Sequence, residues 1–261
     1  MTNRAAPAGT QSVLRVARIL KAFTPASPEW RLTALAGRLG LAKSTAHRLL
    51  GALESEGFVR YDTTRQVYAL GEASAALGLG ALRAHGLRAL ALPVVRDLAA
   101  AARETTTLEM PVDGEMVIVA EEAGERVVNA SGWIGTRWPM HATSSGKAVL
   151  SRLPPARRDE ILAGRLAAFT DATLTDRERL EAELVSAATR GYALARDELE
   201  VGYSAVSAAV VSDEGTPVAA LSIGGPTSRL GPYELDRLGE LVSKSATELS
   251  RRLRLGPIAP A

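Results

Sequence analysis

The chain of 261 residues contains no cysteine and only three histidines, at positions 47, 85 and 141. The lack of cysteine excludes disulfides, iron–sulfur clusters and cysteine-based zinc fingers. Because the histidines are not paired at a metal-ligand spacing, we expect no metal centre and no cofactor. No apolar run approaches the ~20 residues that a membrane helix needs, and the N-terminus lacks the apolar core of a signal peptide. We therefore expect a cytoplasmic protein that does not contact a membrane.

The charges are distributed unevenly, although the net charge is only +2. Residues 1–85 hold 11 Lys and Arg against 5 Asp and Glu, hence +6, whereas residues 86–261 hold 20 against 24, hence −4. A basic first third beside an acidic remainder indicates that the first third meets a polyanion. The hydrophobic fraction of 46% is sufficient for packed cores in both parts.

Two helices are predicted near the N-terminus. The first covers residues 12–23, and its predicted apolar face consists of Val13, Val16, Leu20 and Phe23. A break over residues 24–30 precedes a second, short helix, for which Thr33 is the predicted N-cap. Gly40 is predicted to end this helix, since glycine adopts a positive φ at little cost.

The next segment, L-A-K-S-T-A-H-R-L-L-G-A-L-E-S-E-G, predicts a helix with a buried stripe and a polar, basic outer face. The stripe consists of Ala46, Leu49, Leu50 and Leu53, and the predicted DNA contacts are Lys43, Ser44, Thr45, His47 and Arg48. A glycine-containing turn before a helix of this kind is typical of major-groove readers. Hydroxyl groups suit phosphate oxygens, and Arg or Lys can reach phosphates or a guanine edge.

A β-hairpin is predicted directly after this helix, from F-V-R-Y-D, the turn T-T-R-Q, and V-Y-A-L-G. Arg60 and Arg65 lie where such a hairpin would touch the DNA backbone or the minor groove. Residues 12–71, and above all L-A-K-S-T-A-H-R-L-L-G-A-L-E-S-E-G-F-V, resemble the N-terminal domain of the IclR-type bacterial transcription regulators. The resemblance implies a winged helix-turn-helix domain over residues 12–71, preceded by a disordered segment, residues 1–11.

An Ala/Leu-rich linker helix is predicted over residues 72–85, and residues 86–256 are predicted to form an α+β domain with a mostly antiparallel sheet, GAF/profilin-like. Strands are predicted at residues 105–112, 115–122, 126–133, 192–199, 203–211 and 217–224. Helices are predicted at residues 144–153, from residue 154, from a capping box at Thr175 to Gly191, and at residues 233–253.

The stretch H-A-T-S-S-G-K-A-V-L, residues 141–150, raises two enzymatic possibilities. A nucleotide-binding loop is disfavoured, since His141 replaces the first glycine and Ala148 replaces the magnesium ligand of that motif. Ser144 and Lys147 satisfy the Ser-x-x-Lys motif of serine hydrolases, but the chain lacks the Ser-Asp-Asn and Lys-Thr-Gly motifs that accompany it. A Ser-His-Asp triad with His141 has the residue types without a nucleophile elbow. A serine hydrolase with a nucleic-acid-binding head remains the alternative function.

Two further motifs carry the resemblance across residues 12–253: W-P-M-H-A-T-S-S-G-K-A-V-L, and G-Y-A-L-A-R-D-E-L-E-V-G-Y-S-A-V-S-A-A-V-V followed by A-A-L-S-I-G-G-P-T-S-R. They resemble the effector domain of the same family. The resemblance implies a ligand site formed by Ser144, Ser145, Ala195, Tyr203, Ala205, Ser222 and Gly224. Trp133 and Trp138 are candidates to line this site, or else to pack against the core or a neighbouring subunit.

The predicted ligand site departs from relatives that bind small oxo-acids. Those relatives have an acid at the position of Ala195, a cysteine or serine at that of Ala205, and a serine at that of Gly224. This chain keeps only Ser222 among these polar groups, which predicts a roomier, more apolar pocket and a larger or partly apolar acid, aromatic acids included.

The resulting hypothesis is a DNA-binding regulator, more often a repressor in this family, controlled by a small organic acid. The resemblance implies a homodimer formed through the N-terminal domains, a homotetramer formed through the effector domains, and a near-palindromic operator. A DNA-binding oligomer whose ligand pocket has decayed is a third possibility.

Overall fold

The structure is a computed structural model that describes residues 10–84, 86–125 and 132–254. The chain divides into two compact units, of which the first ends at Ala84. Of the segment 1–11 that the sequence predicts to be disordered, residues 1–9 lie outside the described part, and Gln11 is the first residue of a helix.

The N-terminal unit is a winged helix-turn-helix fold. Its elements are α1 (Gln11–Lys21), β1 (Glu29–Trp30), α2 (Leu32–Leu39), α3 (Lys43–Ser55), β2 (Val59–Asp62), β3 (Val67–Leu70) and α4 (Glu72–Ala84). The three strands form an antiparallel sheet in the order β1-β3-β2. The hairpin β2–β3 is the predicted wing. Strand β1 was not predicted, because it has two residues and follows a stretch interrupted by prolines.

Two sequence predictions in this unit are wrong. Val13 is 67% exposed, and Ile19, which is fully buried, contributes to the core instead, because only the C-terminal part of α1 reaches that core. Helix α2 begins one residue before Thr33, with Arg31 at the N-cap position and no side-chain cap. Gly40 ends α2 with a φ of 63°, as predicted.

The second unit combines a six-stranded antiparallel sheet with helices. Its elements are α5 (Leu87–Ala102), β4 (Thr105–Val112), β5 (Glu115–Glu122), β6 (Arg137–Pro139), a short 3-10 helix (Met140–Ala142), α6 (Ser144–Leu150), α7 (Pro155–Ile161), α8 (Arg177–Arg190), β7 (Ala193–Arg196), β8 (Tyr203–Val211), β9 (Pro217–Pro226) and α9 (Pro232–Arg254). The strand order is β6-β5-β4-β9-β8-β7. Most of the strand predicted at residues 126–133 lies outside the described residues.

The predicted start of α8 is shifted by one residue. Its N-cap is Asp176, whose Oδ1 accepts a hydrogen bond of 2.9 Å from the amide of Arg179, whereas the sequence predicted Thr175 for this position. The carboxylate of Asp176 bonds an amide of the first helical turn, as an N-cap residue does.

The sheet separates an apolar layer from a more polar one. Helices α5 and α9 cover one face, where Leu108, Val206 and Leu221 form part of the main core. Because side chains alternate along a strand, the other face carries Thr107 and Glu109 of β4 with Ser222 of β9, and α6 covers it. Polar side chains are therefore buried between this face and α6.

Candidate DNA-binding surface and effector cavity

Helix α3 has the two faces that the sequence predicts. Its buried side consists of Ala46, Leu49, Leu50 and Leu53. Lys43, Ser44, His47 and Arg48 are exposed, and Thr45 is half-buried. In the described part of the chain, no hydrogen bond or ion pair involves the side chains of these five residues, so they are available to an external partner.

The N-terminal end of α3 also presents backbone donors. Its N-cap, Ala42, provides no side-chain cap, and the first amide that bonds within the helix is that of Ala46, which donates to the Ala42 carbonyl at 3.0 Å. Within the described residues, the amides from Lys43 to Thr45 have no backbone acceptor. Free amides at a helix N-terminus suit phosphate oxygens.

Arg65, the predicted contact on the wing, already has a partner. Its guanidinium lies 2.5 Å from Glu29 Oε1 on β1, although the Arg65 side chain is 60% exposed. Asp62 Oδ1 accepts hydrogen bonds of 2.9 Å from the amides of Thr64 and Arg65, which hold the turn. These backbone bonds, that of Arg65 first, hold the pKa of Asp62 below its usual value. The Glu29 carboxylate thus already offsets part of the positive charge of Arg65, while the other guanidinium donors remain exposed.

A cavity of about 70 Å³ lies between α6 and the polar face of the large sheet. All seven predicted ligand residues line it: Ser144, Ser145, Ala195, Tyr203, Ala205, Ser222 and Gly224. Trp133 and Trp138 line it as well. Four further lining residues were not predicted from the sequence. Thr105, Thr107 and Glu109 lie on β4, which pairs with the distant strand β9, and Glu198 lies in the loop after β7.

Helix α6 begins at the cavity. Thr143 Oγ1 accepts from the Gly146 amide at 3.2 Å, and in the described chain the amides of Ser144 and Ser145 have no backbone acceptor. A Cβ atom at Gly146 would lie 2.2 Å from the Met140 carbonyl oxygen. The glycine in S-S-G-K is thus explained by the close approach of two backbone segments, without a phosphate.

The Ser-x-x-Lys pair is not assembled for catalysis. Ser144 Oγ is 2.7 Å from Ser207 Oγ, and Lys147 Nζ donates to Glu198 Oε1 at 2.6 Å. His141 Nε2 lies 2.9 Å from the Ala167 carbonyl oxygen. Among the described residues, Ser144 Oγ makes no hydrogen bond with Lys147 or His141, so neither a lysine nor a histidine is positioned to activate it.

Glu109 is a buried carboxyl group held by hydroxyls. Ser145 Oγ donates to its Oε2 at 2.6 Å and Thr107 Oγ1 donates to its Oε1 at 2.9 Å. Burial raises the pKa of Glu109 because it disfavours the charged form, while the two hydroxyl donors act in the opposite direction.

Glu198 is placed by the loop that follows β7. Thr170 Oγ1 donates to the Asp197 carbonyl and Thr173 Oγ1 donates to the Glu198 carbonyl, each at 2.6 Å. Glu198 Oε1 binds Lys147, but Glu198 Oε2 is buried and has no hydrogen-bond partner in the described part of the chain. Burial raises the pKa of Glu198, and the positive charge of Lys147 counteracts this. An unpartnered oxygen of this kind is costly in a folded protein, so it requires an explanation.

The cavity is not enlarged at Gly224, contrary to the sequence prediction. A Cβ atom at Gly224 would lie 2.1 Å from the Tyr203 hydroxyl oxygen, so the Tyr203 side chain occupies the space that a serine would need. The Trp133 ring centroid lies 5.7 Å from that of Tyr203 and 5.9 Å from that of Trp138. These three rings together form an aromatic wall of the cavity. Burial, together with the charge of Glu109, raises the pKa of Tyr203.

A winged helix-turn-helix unit joined to an α+β unit with a polar internal cavity defines the class of transcription regulators that combine a DNA-binding and an effector domain in one chain. Residues 12–63 match the IclR helix-turn-helix domain, and residues 79–251 match the bacterial transcriptional regulator IclR C-terminal domain. The chain belongs to the IclR family of bacterial transcriptional regulators.

Individual relatives agree with this assignment over nearly the whole chain. The acetate operon repressor of Salmonella typhimurium is 32% identical over 243 residues, which cover 92% of this chain and 89% of that protein. The IclR transcriptional regulator of Alicyclobacillus acidocaldarius is 28% identical, with a TM-score of 0.83 over 93% of this chain and 98% of its own. An IclR homolog of Microbacterium hydrocarbonoxydans, solved with 4-hydroxybenzoate, is 26% identical and has a TM-score of 0.79. The match covers 94% of this chain and 100% of that one.

The predicted fold class and family are therefore confirmed. In the part of the chain that the structure describes, no helix is long and apolar enough to cross a membrane, and His, Asp and Glu side chains form no group suited to a metal ion.

Proposed function

We propose that this regulator represses transcription from the cytoplasm by binding operator DNA with α3, and that a small organic acid in the cavity controls the binding. The observation that carries the DNA-binding part is the set of side chains on α3, from Lys43 to Arg48, that are exposed and make no bond within the described protein. Polar and basic residues at the start of the second helix of this motif contact base edges and phosphates.

The proposed operator is near-palindromic and is bound by a dimer, with two dimers associating through the effector domains. Helix-turn-helix proteins of two-fold symmetry read two half-sites about one helical turn apart, or a multiple of that distance. Footprinting of the promoter region together with sedimentation velocity tests this proposal. A protected region with one half-site, or a monomer on DNA, would contradict it.

The proposed effector site includes the seven predicted residues among those that line the cavity. The amides of Ser144 and Ser145 are the proposed donors to a carboxylate, and Ser222 contributes a hydroxyl. Two similar proteins support an acid: one is named for the acetate operon, and the other was solved with 4-hydroxybenzoate. The small volume of the cavity favours a compact acid, and an aromatic one would require Tyr203 to move.

Operator binding by α3 is tested with Arg48→Ala and Thr45→Ala. We expect each to weaken binding, by about 1–3 kcal/mol where a base contact is lost, without lowering the melting temperature, since neither side chain is in the core. Fluorescence anisotropy with a promoter fragment at several salt concentrations measures the effect. Arg152→Ala, at an exposed arginine of the effector domain, is the matched control. Unchanged affinity in both α3 variants would mean that another surface binds DNA.

We also propose that the chain has no enzymatic activity. Its family consists of regulators, Ser144 bonds to Ser207, and the ammonium group of Lys147 is bound by Glu198. The rival hydrolase is tested by assaying the protein and Ser144→Ala with a panel of activated esters. Turnover in the wild type that disappears in the variant would establish the hydrolase.

A decayed pocket is distinguished from a working one by thermal-shift screening with organic acids. A specific ligand at 100 times its Kd adds about 2.7 kcal/mol to the stability of the domain that binds it. A reproducible shift with one class of acid is the expected outcome. If no aliphatic, aromatic or oxo-acid shifts the melting temperature, the result would favour a domain that only associates with copies of itself.

A further inference from the structure

The cavity lining combines aromatic rings with carboxyl groups and lacks basic side chains. Its aromatic residues are Trp133, Trp138 and Tyr203, and its acidic residues are Glu109, Glu198 and Glu200. No Lys, Arg or His occurs among the described residues that line it. An anion alone is a poor electrostatic match for such a lining, because like charges repel strongly where water is excluded.

The carboxyl groups of the lining are only partly balanced by positive charge. Lys147 neutralises one carboxylate, since its ammonium group lies 2.6 Å from Glu198 Oε1. Glu109 is held by the hydroxyls of Ser145 and Thr107, with no basic side chain among its hydrogen-bond partners. The cavity therefore has more carboxyl groups than positive charges to balance them.

An unsatisfied acceptor points to the missing partner. Glu198 is only 8% exposed, and its Oε2 atom makes no hydrogen bond within the described residues although its Oε1 atom does. A buried acceptor of this kind is normally bonded in the functional state of a protein. Glu198 lines the cavity, so a ligand with a hydrogen-bond donor can supply that bond.

The aromatic wall favours a positively charged group. The ring of Trp133 contacts the rings of both Trp138 and Tyr203, with centroid distances of 5.9 and 5.7 Å. Aromatic faces attract cations, and clusters of such rings recognise ammonium and quaternary ammonium groups. Rings and carboxyl groups together form a site for positive charge.

We infer that the effector is a small zwitterion, whose positively charged nitrogen lies against the aromatic wall and Glu198 while its carboxylate faces the start of α6. An ammonium group would also donate a hydrogen bond to Glu198 Oε2, whereas a quaternary ammonium group would contribute only its charge. This inference rests on the proposed function, because the carboxylate end is the acid proposed above. It adds the positive group, which distinguishes amino acids and betaines from simple carboxylic acids.

The size of the cavity limits the candidates. The cavity volume of about 70 Å³ favours compounds with few non-hydrogen atoms, such as beta-alanine and glycine betaine. Each has an isosteric carboxylic acid in which carbon replaces the charged nitrogen: butanoate for beta-alanine, and 3,3-dimethylbutanoate for glycine betaine.

Calorimetric titration of the full chain with these four compounds tests the inference. We expect at least one zwitterion to bind about tenfold or more tightly than its isostere, because only the charged nitrogen interacts with the rings and carboxyl groups. Equal or tighter binding of the isosteres would overturn the inference but leave the proposed acid-binding function standing. If none of the four binds, the inference fails as well. The proposed function is then tested separately, by whether any organic acid changes operator affinity.

The variant Glu109→Gln separates charge from shape. It keeps the size of the side chain and can still bond to both hydroxyls, so we expect it to lower the preference for a zwitterion over its isostere about tenfold. Glu214→Gln, at an exposed turn outside the cavity, is the matched control and is expected to change neither affinity. A loss of affinity for zwitterion and isostere alike would show that Glu109 only shapes the cavity, and would contradict the inference.

Discussion

Replacing Lys147 by methionine is expected to destabilise the effector domain strongly. Lys147 is 1% exposed and contacts Glu198 Oε1 at 2.6 Å, while the Glu198 side chain is 9% exposed. Removing one partner of such a pair leaves an uncompensated buried charge, which costs about 3–5 kcal/mol. Methionine fills much of the same space, so the cost reflects the lost ammonium group more than a cavity.

The effect of Lys147→Met depends on pH in a defined direction. Burial already raises the pKa of Glu198 above its usual value of 4.5, and losing the Lys147 charge raises it further. The folded variant then binds a proton that the unfolded chain has released. Its stability therefore falls by about 1.4 kcal/mol for each pH unit from 4.5 up to the folded-state pKa of Glu198, and is constant above it.

Urea unfolding at several pH values measures this effect through the fluorescence of Trp133 and Trp138. All variants carry Trp30→Phe, so that the N-terminal domain contributes no tryptophan signal. Adding Glu198→Gln to Lys147→Met is expected to restore much of the stability, because no buried charge then remains. If Lys147→Met lies within about 1 kcal/mol of the wild type at about pH 8, the ion pair does not support the fold and the reasoning is refuted.

Two further changes test the surroundings of the cavity. Gly146→Ala is expected to lower the free energy of unfolding by about 1–3 kcal/mol, because its Cβ would meet the Met140 carbonyl oxygen at 2.2 Å. In contrast, Gly51 is an exposed residue of α3, and a Cβ atom there would have no described neighbour within 4 Å. Gly51→Ala should therefore raise the free energy of unfolding by about 1 kcal/mol, and similar effects at both sites would contradict this. Since burial raises the pKa of Glu109, the wild type loses stability as pH rises above 4.5, and Glu109→Gln should lose less, keeping only the contribution of groups such as Glu198. Thermal unfolding at pH values from 4.5 to about 8 checks this, and a constant difference between the two proteins would count against it.

Local patterns in the sequence were sufficient to predict α3 and the wing. The stripe from Ala46 to Leu53 repeats at helical spacing, and the hairpin alternates at strand spacing around a polar turn. Val13 was misplaced because periodicity identifies a helix face but does not show how far the core extends along it. Only the packed structure showed that Ile19 is buried and Val13 is exposed.

The cavity was predicted in location but not in chemistry. The resemblance identified residues such as Ser144 and Gly224, which line it. Glu109 contacts Ser145 across 36 positions of sequence and Glu198 contacts Lys147 across 51, and no local pattern indicates such pairs. The effect of Gly224 was mispredicted for the same reason, because the Tyr203 side chain fills the space from a neighbouring strand.

Control of operator binding by a ligand in the cavity is the proposed basis of regulation in this protein. The most direct measurement is operator affinity by fluorescence anisotropy, with and without the compound that most stabilises the protein, in the wild type and in Ala205→Leu. Ala205 lines the cavity, so three added carbon atoms should block it. We predict that the compound changes the operator Kd of the wild type by about 5- to 150-fold, whereas Ala205→Leu binds the operator normally and does not respond. An unchanged Kd in the wild type, or an equal response in Ala205→Leu, would contradict the claim.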